Sequence, residues 1–155
     1  WLLTTRPLAR APIPLFQKGF GWLLGPRLLM LEHVGRASGQ PRYVCLEIAR
    51  RPAAGQFIVP SGFGTRSQWY RNLRATPECF VSTGRLRHAP AIARLLTKEQ
   101  SATELKRYQA ARPTLWAQLE PAIEKALGHP VTDVPMVELT LDELAKGRPM
   151  EKVLR

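Results

Sequence analysis

The sequence predicts an α+β domain in which short antiparallel strands form a meander that curls into a small barrel, with helices at its periphery. Three observations carry this expectation. Between residues 28 and 96, short runs rich in β-branched and aromatic side chains alternate with period two. The runs are parted by "GRASGQP", "RRPAAG" and "TGR", each made of turn formers. Helical spacing lies before this region, once inside it, and after it. A meander of this kind escapes exposed edges by closing on itself.

The elements follow in order. In "PIPLFQKGFGWLL" (12–24), Ile13, Phe16, Phe20, Leu23 and Leu24 fall near helical spacing, with prolines only at the opening positions, so an amphipathic N-terminal helix is expected. Gly25-Pro26-Arg27 breaks the apolar run, which is too short to span a bilayer, and the helix is placed as a cap on the core. Strands are expected in "LLMLEHV" (28–34), "RYVCLEIA" (42–49), "QFIV" (56–59), "CFVS" (79–82) and "LRHAPAIARLL" (86–96). Arg42, Val44, Leu46 and Ile48 share one face by alternation, which puts Arg42 at the rim above the core. "SQWYRNLRATPE" reads as a helix with Ser67 at the N-cap and Pro77 past its end, bringing Trp69, Asn72 and Leu73 onto one face. Thr97 and Gln100 form a capping box opening a helix to about Ala111. Leu115, Leu119, Ile123 and Leu127 then repeat every four residues, with Pro121 expected to split that helix. "PMVELTL" (135–141) closes the strands, and 142–155 is a charged tail. The expected organisation is one domain: an N-terminal amphipathic segment (1–26), the barrel (27–141) and the tail. Because the chain opens on Trp1, residues upstream of it are expected.

Charge narrows the partners. The net charge is +11, and the whole excess lies before residue 97. A basic surface attracts nucleic acid, an anionic membrane or a polyanionic small molecule. Cys45 and Cys79 lack the spacing of a ligand pair and sit in strand-like surroundings, so buried thiols in a reducing, cytoplasmic compartment are expected. His33, His88 and His129 show no metal-ligand spacing, and Ser61 is not in a nucleophile elbow. Glu32 and Glu47 are expected to be solvated or paired with arginine. No catalytic side chain stands out, so any demanding chemistry would come from a cofactor.

Two stretches suggest where it would sit. In "HVGRASGQPR" (33–42), N–H groups around Ser38-Gly39 could form an anion-binding concavity, with the Ser38 hydroxyl and the Arg36 and Arg42 guanidinium groups adding bonds to phosphate. In "PSGFGTRSQWYRNL" (60–73), Gly62 and Gly64 would let backbone approach a flat group, and Arg66 stands where the loop runs into the helix N-terminus.

These motifs, "GRASGQPR" followed about twenty residues later by "PSGFGTRSQWYRNLRATP", resemble the deazaflavin-dependent nitroreductase and quinone reductase family, over roughly residues 12–141. The resemblance implies a split β-barrel of the FMN-binding type and coenzyme F420, a flat tricyclic hydride carrier on a phosphorylated oligoglutamate tail. It implies that Arg36, Ser38 and Arg42 hold the phosphate and tail. Ser61, Gly62 and Gly64 would border the ring, with Trp69 and Asn72 bracing the loop, and Gly39, Pro60 and Arg66 complete the expected cofactor-binding set. The reaction implied is hydride transfer from F420H2 to a quinone, nitro compound or conjugated enone. The chain departs from the family pattern at Ala37, where relatives commonly carry Lys or Arg. In "RPTLWAQLEP" it has Trp116 where nitro-reducing relatives have tyrosines, and Tyr108 lies upstream. The alternatives are an FMN-dependent reductase and a non-catalytic lipid or fatty-acid binder docking on anionic membrane through the N-terminal segment. Specific nucleic-acid binding is not expected, a homodimer is an open expectation, and a small-molecule electron acceptor is the expected partner.

Overall fold

The computed structural model describes residues 12–131 and 133–142. Alternation along the strand sequences produces six strands: β1 (Leu28–Val34), β2 (Pro41–Glu47), β3 (Gln56–Pro60), β4 (Glu78–Thr83), β5 (Leu86–Leu95) and β6 (Met136–Leu141). They form one antiparallel sheet in the order β2-β1-β4-β5-β6-β3. The sheet curls until its two ends meet. Just past β2, Arg50 bridges Ile58 of β3, with Ala49 N–H donating to Ile58 O and Ile58 N–H to Arg50 O, both at 2.8 Å. This is a split β-barrel, with its end strands joined at this bridge.

The barrel interior is filled by alternate residues: Leu29 and Leu31, Leu46 and Ile48, Phe57 and Val59, Val137, Leu139 and Leu141. On β5 the inward positions are the small Ala89, Ala91 and Ala93. Their size leaves room for the helix α2 (Gln68–Ala75), whose Trp69, Tyr70 and Leu73 plug the same core. The outer face of the sheet is covered in two places. Met30 and Cys45 lie under Phe16, and Ile58 and Met136 lie under α3 (Lys98–Ala111) and α4 (Pro113–Leu127). The capping box at Thr97 and Gln100 is formed with both of its bonds, at 3.1 and 3.0 Å.

Several expectations change. Residues 12–24 are not one helix. They form α1 (Ile13–Gln17) and a 3-10 turn (Gly21–Leu24), because Gly19 takes the left-handed region at φ +83° and Gly21 packs against the Phe16 ring. Phe16 is buried, whereas Phe20, Trp22 and Leu23 are 47%, 52% and 58% exposed. Pro121 does not split α4; the chain breaks at Arg112, ahead of Pro113, and Pro121 lies on the solvent side of a continuous helix. Ser67 occupies the N-cap of α2, but its side chain makes no capping bond. Glu32 pairs with His88 Nε2 at 2.5 Å and accepts from Tyr43 Oη, not from arginine, while Glu47 does meet Arg112 at 3.1 Å. Both thiols are buried, which pushes each up to about 12. Residues 1–11 and most of the 142–155 tail lie outside the described residues. Among the described residues, no helix is long and apolar enough to cross a membrane.

Candidate cofactor and acceptor site

Trp69, on the first turn of α2, forms a wall shared by two cavities. The larger, about 640 Å³, opens between the β1–β2 hairpin, the start of β2 and α2. That volume falls within the range of small-molecule sites. The smaller, about 150 Å³, lies between β2, the loop after β3, and the helices α3 and α4.

The hairpin loop is set by register. Val34 pairs with Pro41, so residues 35–40 make the turn. Gly39 sits at φ +70°, a conformation that side chains with a Cβ disfavour. Its N–H donates to Gly35 O at 2.8 Å, and Gln40 N–H donates to Ser38 Oγ at 3.2 Å. The turn therefore consumes the Gly39 N–H, so that group is not available to the expected anion-binding concavity. What the loop does present is side chains: Ser38, Arg36 and Arg42 all border the large cavity.

Arg36 is held from the helix. Asn72 Oδ1 accepts from the Arg36 backbone N–H at 3.2 Å and from Nη1 at 2.8 Å, and Gln68 Oε1 accepts from Nη2 at 2.8 Å. Two of five guanidinium N–H groups are thereby spent on positioning, leaving three for a ligand. The Arg42 side chain has no hydrogen-bonding or ionic partner among the described residues. Asn72 also meets His33 Nδ1 at 3.0 Å, and both side chains are buried. Burial, then the neighbouring Arg42 charge, lower His33 from 6.5 to about 4, against a smaller opposing pull from Glu32. The imidazole is neutral at physiological pH.

The second cavity is mostly apolar. Pro60, Gly62 and Phe63 approach from the β3 loop, and Leu105, Trp116 and Met136 from the far side. Its polar corner is Glu47 and Tyr108, whose hydroxyl donates to Glu47 Oε1 at 3.3 Å beside Arg112. Burial and the Glu47 charge push Tyr108 up to about 12, so the phenol keeps its proton.

Of the residues expected at a site, Arg36, Ser38, Arg42 and Asn72 meet at the larger cavity, Pro60 and Gly62 at the smaller, and Trp69 at both. Ser61 is buried behind the loop, donating to Gly64 O at 2.6 Å, with Ser67 Oγ at 3.0 Å. Gly39, Gly64 and Arg66 border neither cavity. Sequence reasoning missed His33, Tyr43 and Gln68 at the first cavity and Glu47, Phe63 and Tyr108 at the second. His33 had one usable signal, since the hairpin register sets it opposite Arg42.

A split barrel carrying an arginine-rimmed cavity beside an apolar one has places for an anionic group and for a flat apolar one, as a cofactor-binding protein requires. Comparison with known proteins makes this specific. The family model of the F420H(2)-dependent quinone reductases matches residues 17–131, and the chain belongs to that family. It is an F420-dependent reductase, and its cofactor is coenzyme F420. No curated protein matches the chain. Among solved structures it is similar to an F420-H2 dependent reductase, with 22% identity over 73% of this chain and 93% of that one, at a TM-score of 0.51. It is also similar to a domain-swapped dimer, with 20% identity over 82% and 92% at 0.56. An FAD-binding protein from Mesorhizobium loti shares 15% identity over 80% and 87% at 0.51. At these identities the structural likenesses establish the fold.

The residues present suit this cofactor. Two guanidinium groups with unspent donors and a hydroxyl border one cavity of ligand size, and the apolar, ring-sized surface of Trp69 lines it with them. A phosphorylated, polyanionic ligand with a flat head matches that set of groups.

Proposed function

We infer that the larger cavity receives the phosphate and acidic tail of F420, and that the cofactor's ring lies toward Trp69 and the 60–64 loop. The acceptor, a quinone in the first instance, is placed in the smaller apolar cavity. The observation that carries this reading is the convergence of Arg36, Arg42 and Ser38 at one cavity that shares a lining residue, Trp69, with the other.

When bound, reduced deazaflavin supplies a hydride to an electron-poor carbon. The protein supplies the surroundings. Arg36, fixed by Asn72 and Gln68, and Arg42 place positive charge that binds and orients an anion. Trp69 and the apolar walls contributed by Leu105, Trp116 and Met136 exclude water from the acceptor. Tyr108 Oη retains its proton at neutral pH and spends it on Glu47 Oε1, so it holds the polar corner of the pocket in place and is not the acid that titrates. Trp116 gives the pocket a flat wall suited to quinones and conjugated enones; nitro compounds are the weaker candidates, because the tyrosines implied for them are replaced here.

The test is a fluorescence titration with oxidised F420 of the intact protein and of an Arg36→Ala, Arg42→Ala double variant. Saturable micromolar binding that the double variant loses by at least about tenfold is expected, since each charged bond contributes roughly 1.5–3 kcal/mol. Equal binding by both proteins would overturn the placement.

A second reading concerns where the enzyme works. Phe20, Trp22 and Leu23 are exposed together beside Lys18 and Arg27, a combination suited to peripheral contact with an anionic membrane holding apolar acceptors.

A further inference from the structure

His33 belongs to no motif, yet it stands at the wall of the large cavity while only 4% exposed. Its tautomer follows from its neighbours. Asn72 Oδ1 is claimed by two donors from Arg36, so the Asn72 amide must present Nδ2–H to His33. Nδ1 therefore accepts, and the imidazole proton is on Nε2. Among the described residues nothing accepts from Nε2, and no fully enclosed polar side-chain atom lacks a partner. The Nε2–H thus opens on the cavity. On the adjacent strand Arg42 is the direct cross-strand partner of His33, and Arg36 is tied to it through Asn72.

We propose that His33 is a ligand-contacting residue, donating from Nε2 to a phosphate or carboxylate oxygen held between Arg36 and Arg42. The proposal rests on the reading that the anionic part of F420 occupies the large cavity. Its logic is one of charge. Two guanidinium groups already attract the anion; a third cation packed against them would be repelled, and a buried neutral imidazole adds a directed donor without that cost. The same ring, through Asn72, sets the Arg36 fork, so one residue couples the helix brace to the ligand.

Two isosteres separate these roles. His33→Asn keeps an acceptor near the Nδ1 position and loses the Nε2 donor; His33→Gln keeps a donor near Nε2. The expected result is that His33→Asn weakens F420 binding about tenfold, the size of one hydrogen bond to a charged oxygen, while His33→Gln falls closer to the unaltered protein. Nitrogen-15 NMR of histidine-labelled, unaltered protein supplies a readout that needs no variant to fold. With three histidines in the chain, the Nε2 signal of His33 should shift on saturation with F420. Unchanged affinity in a folded His33→Asn variant, or an unmoved Nε2 signal at saturation, would overturn the proposal while leaving the cofactor placement intact. Failure of the unaltered protein to bind F420 would overturn both.

Discussion

Acidification should destabilise this protein earlier than its carboxylates require, and His33 is the reason. In the unfolded chain the imidazole takes a proton below 6.5; in the folded protein it does so only below about 4. Between those values the unfolded state binds more protons, so stability rises with pH and is lost as pH falls from about 6.5 toward 4. Two pKa values about 2.5 pH units apart correspond to roughly 3 kcal/mol in full, of which about 2.5 kcal/mol is lost by pH 4.5. Glu104, held below its usual value by its bond to Arg50, loses its contribution only under more acid conditions, as pH drops through the carboxylate range. The window from 6.5 to 4.5 is therefore where His33 should dominate the comparison of variants. Urea melts followed by tryptophan fluorescence should show the midpoint falling by roughly 1 M across that window, given a slope of about 2 kcal/mol/M. In His33→Gln, which cannot take up the proton, the fall should be much smaller. Parallel curves for the two proteins between pH 6.5 and 4.5 would refute the reasoning, because they would mean that His33 titrates alike in both states.

Asn72→Ala should destabilise by about 2–3 kcal/mol in urea, because it removes the acceptor of two Arg36 donors and the donor to buried His33. The same variant should weaken F420 binding in the fluorescence titration about tenfold, as the guanidinium loses its fixed position. For the membrane reading, vesicle sedimentation should show attachment to anionic but not neutral lipid, weakened by salt and by a Phe20→Ser, Trp22→Ser double variant. Equal sedimentation with both lipids would count against it.

Much of this protein was legible in its order of residues. Strand alternation, the Thr97 to Gln100 box and the pairing of "GRASGQPR" with "PSGFGTRSQWYRNLRATP" are local or motif-bound signals, and they pointed to the split barrel and to its F420-dependent family. Arg42 on the inward-facing row of β2 and Asn72 on the buried face of α2 also follow from period alone. Other features were settled by packing. Whether residues 12–24 made one helix depended on Gly19 turning left-handed so that Phe16 could cover Met30 and Cys45. Whether Gly39 offered an N–H to an anion depended on where the turn's own carbonyls lay, and Gly35 O claimed it. Glu47 and Tyr108 stand 61 residues apart and share no pattern; only the seating of α3 on the barrel's outer face joins them. The role of His33 is the furthest from the sequence, since it required a register, an amide orientation and an unpaired nitrogen at a cavity wall. Periodicity fixes which way a side chain points relative to its own element, while hydrogen-bond partners and burial are properties of elements brought together, which is why the motifs announced the cofactor and the fold alone assembled its surroundings.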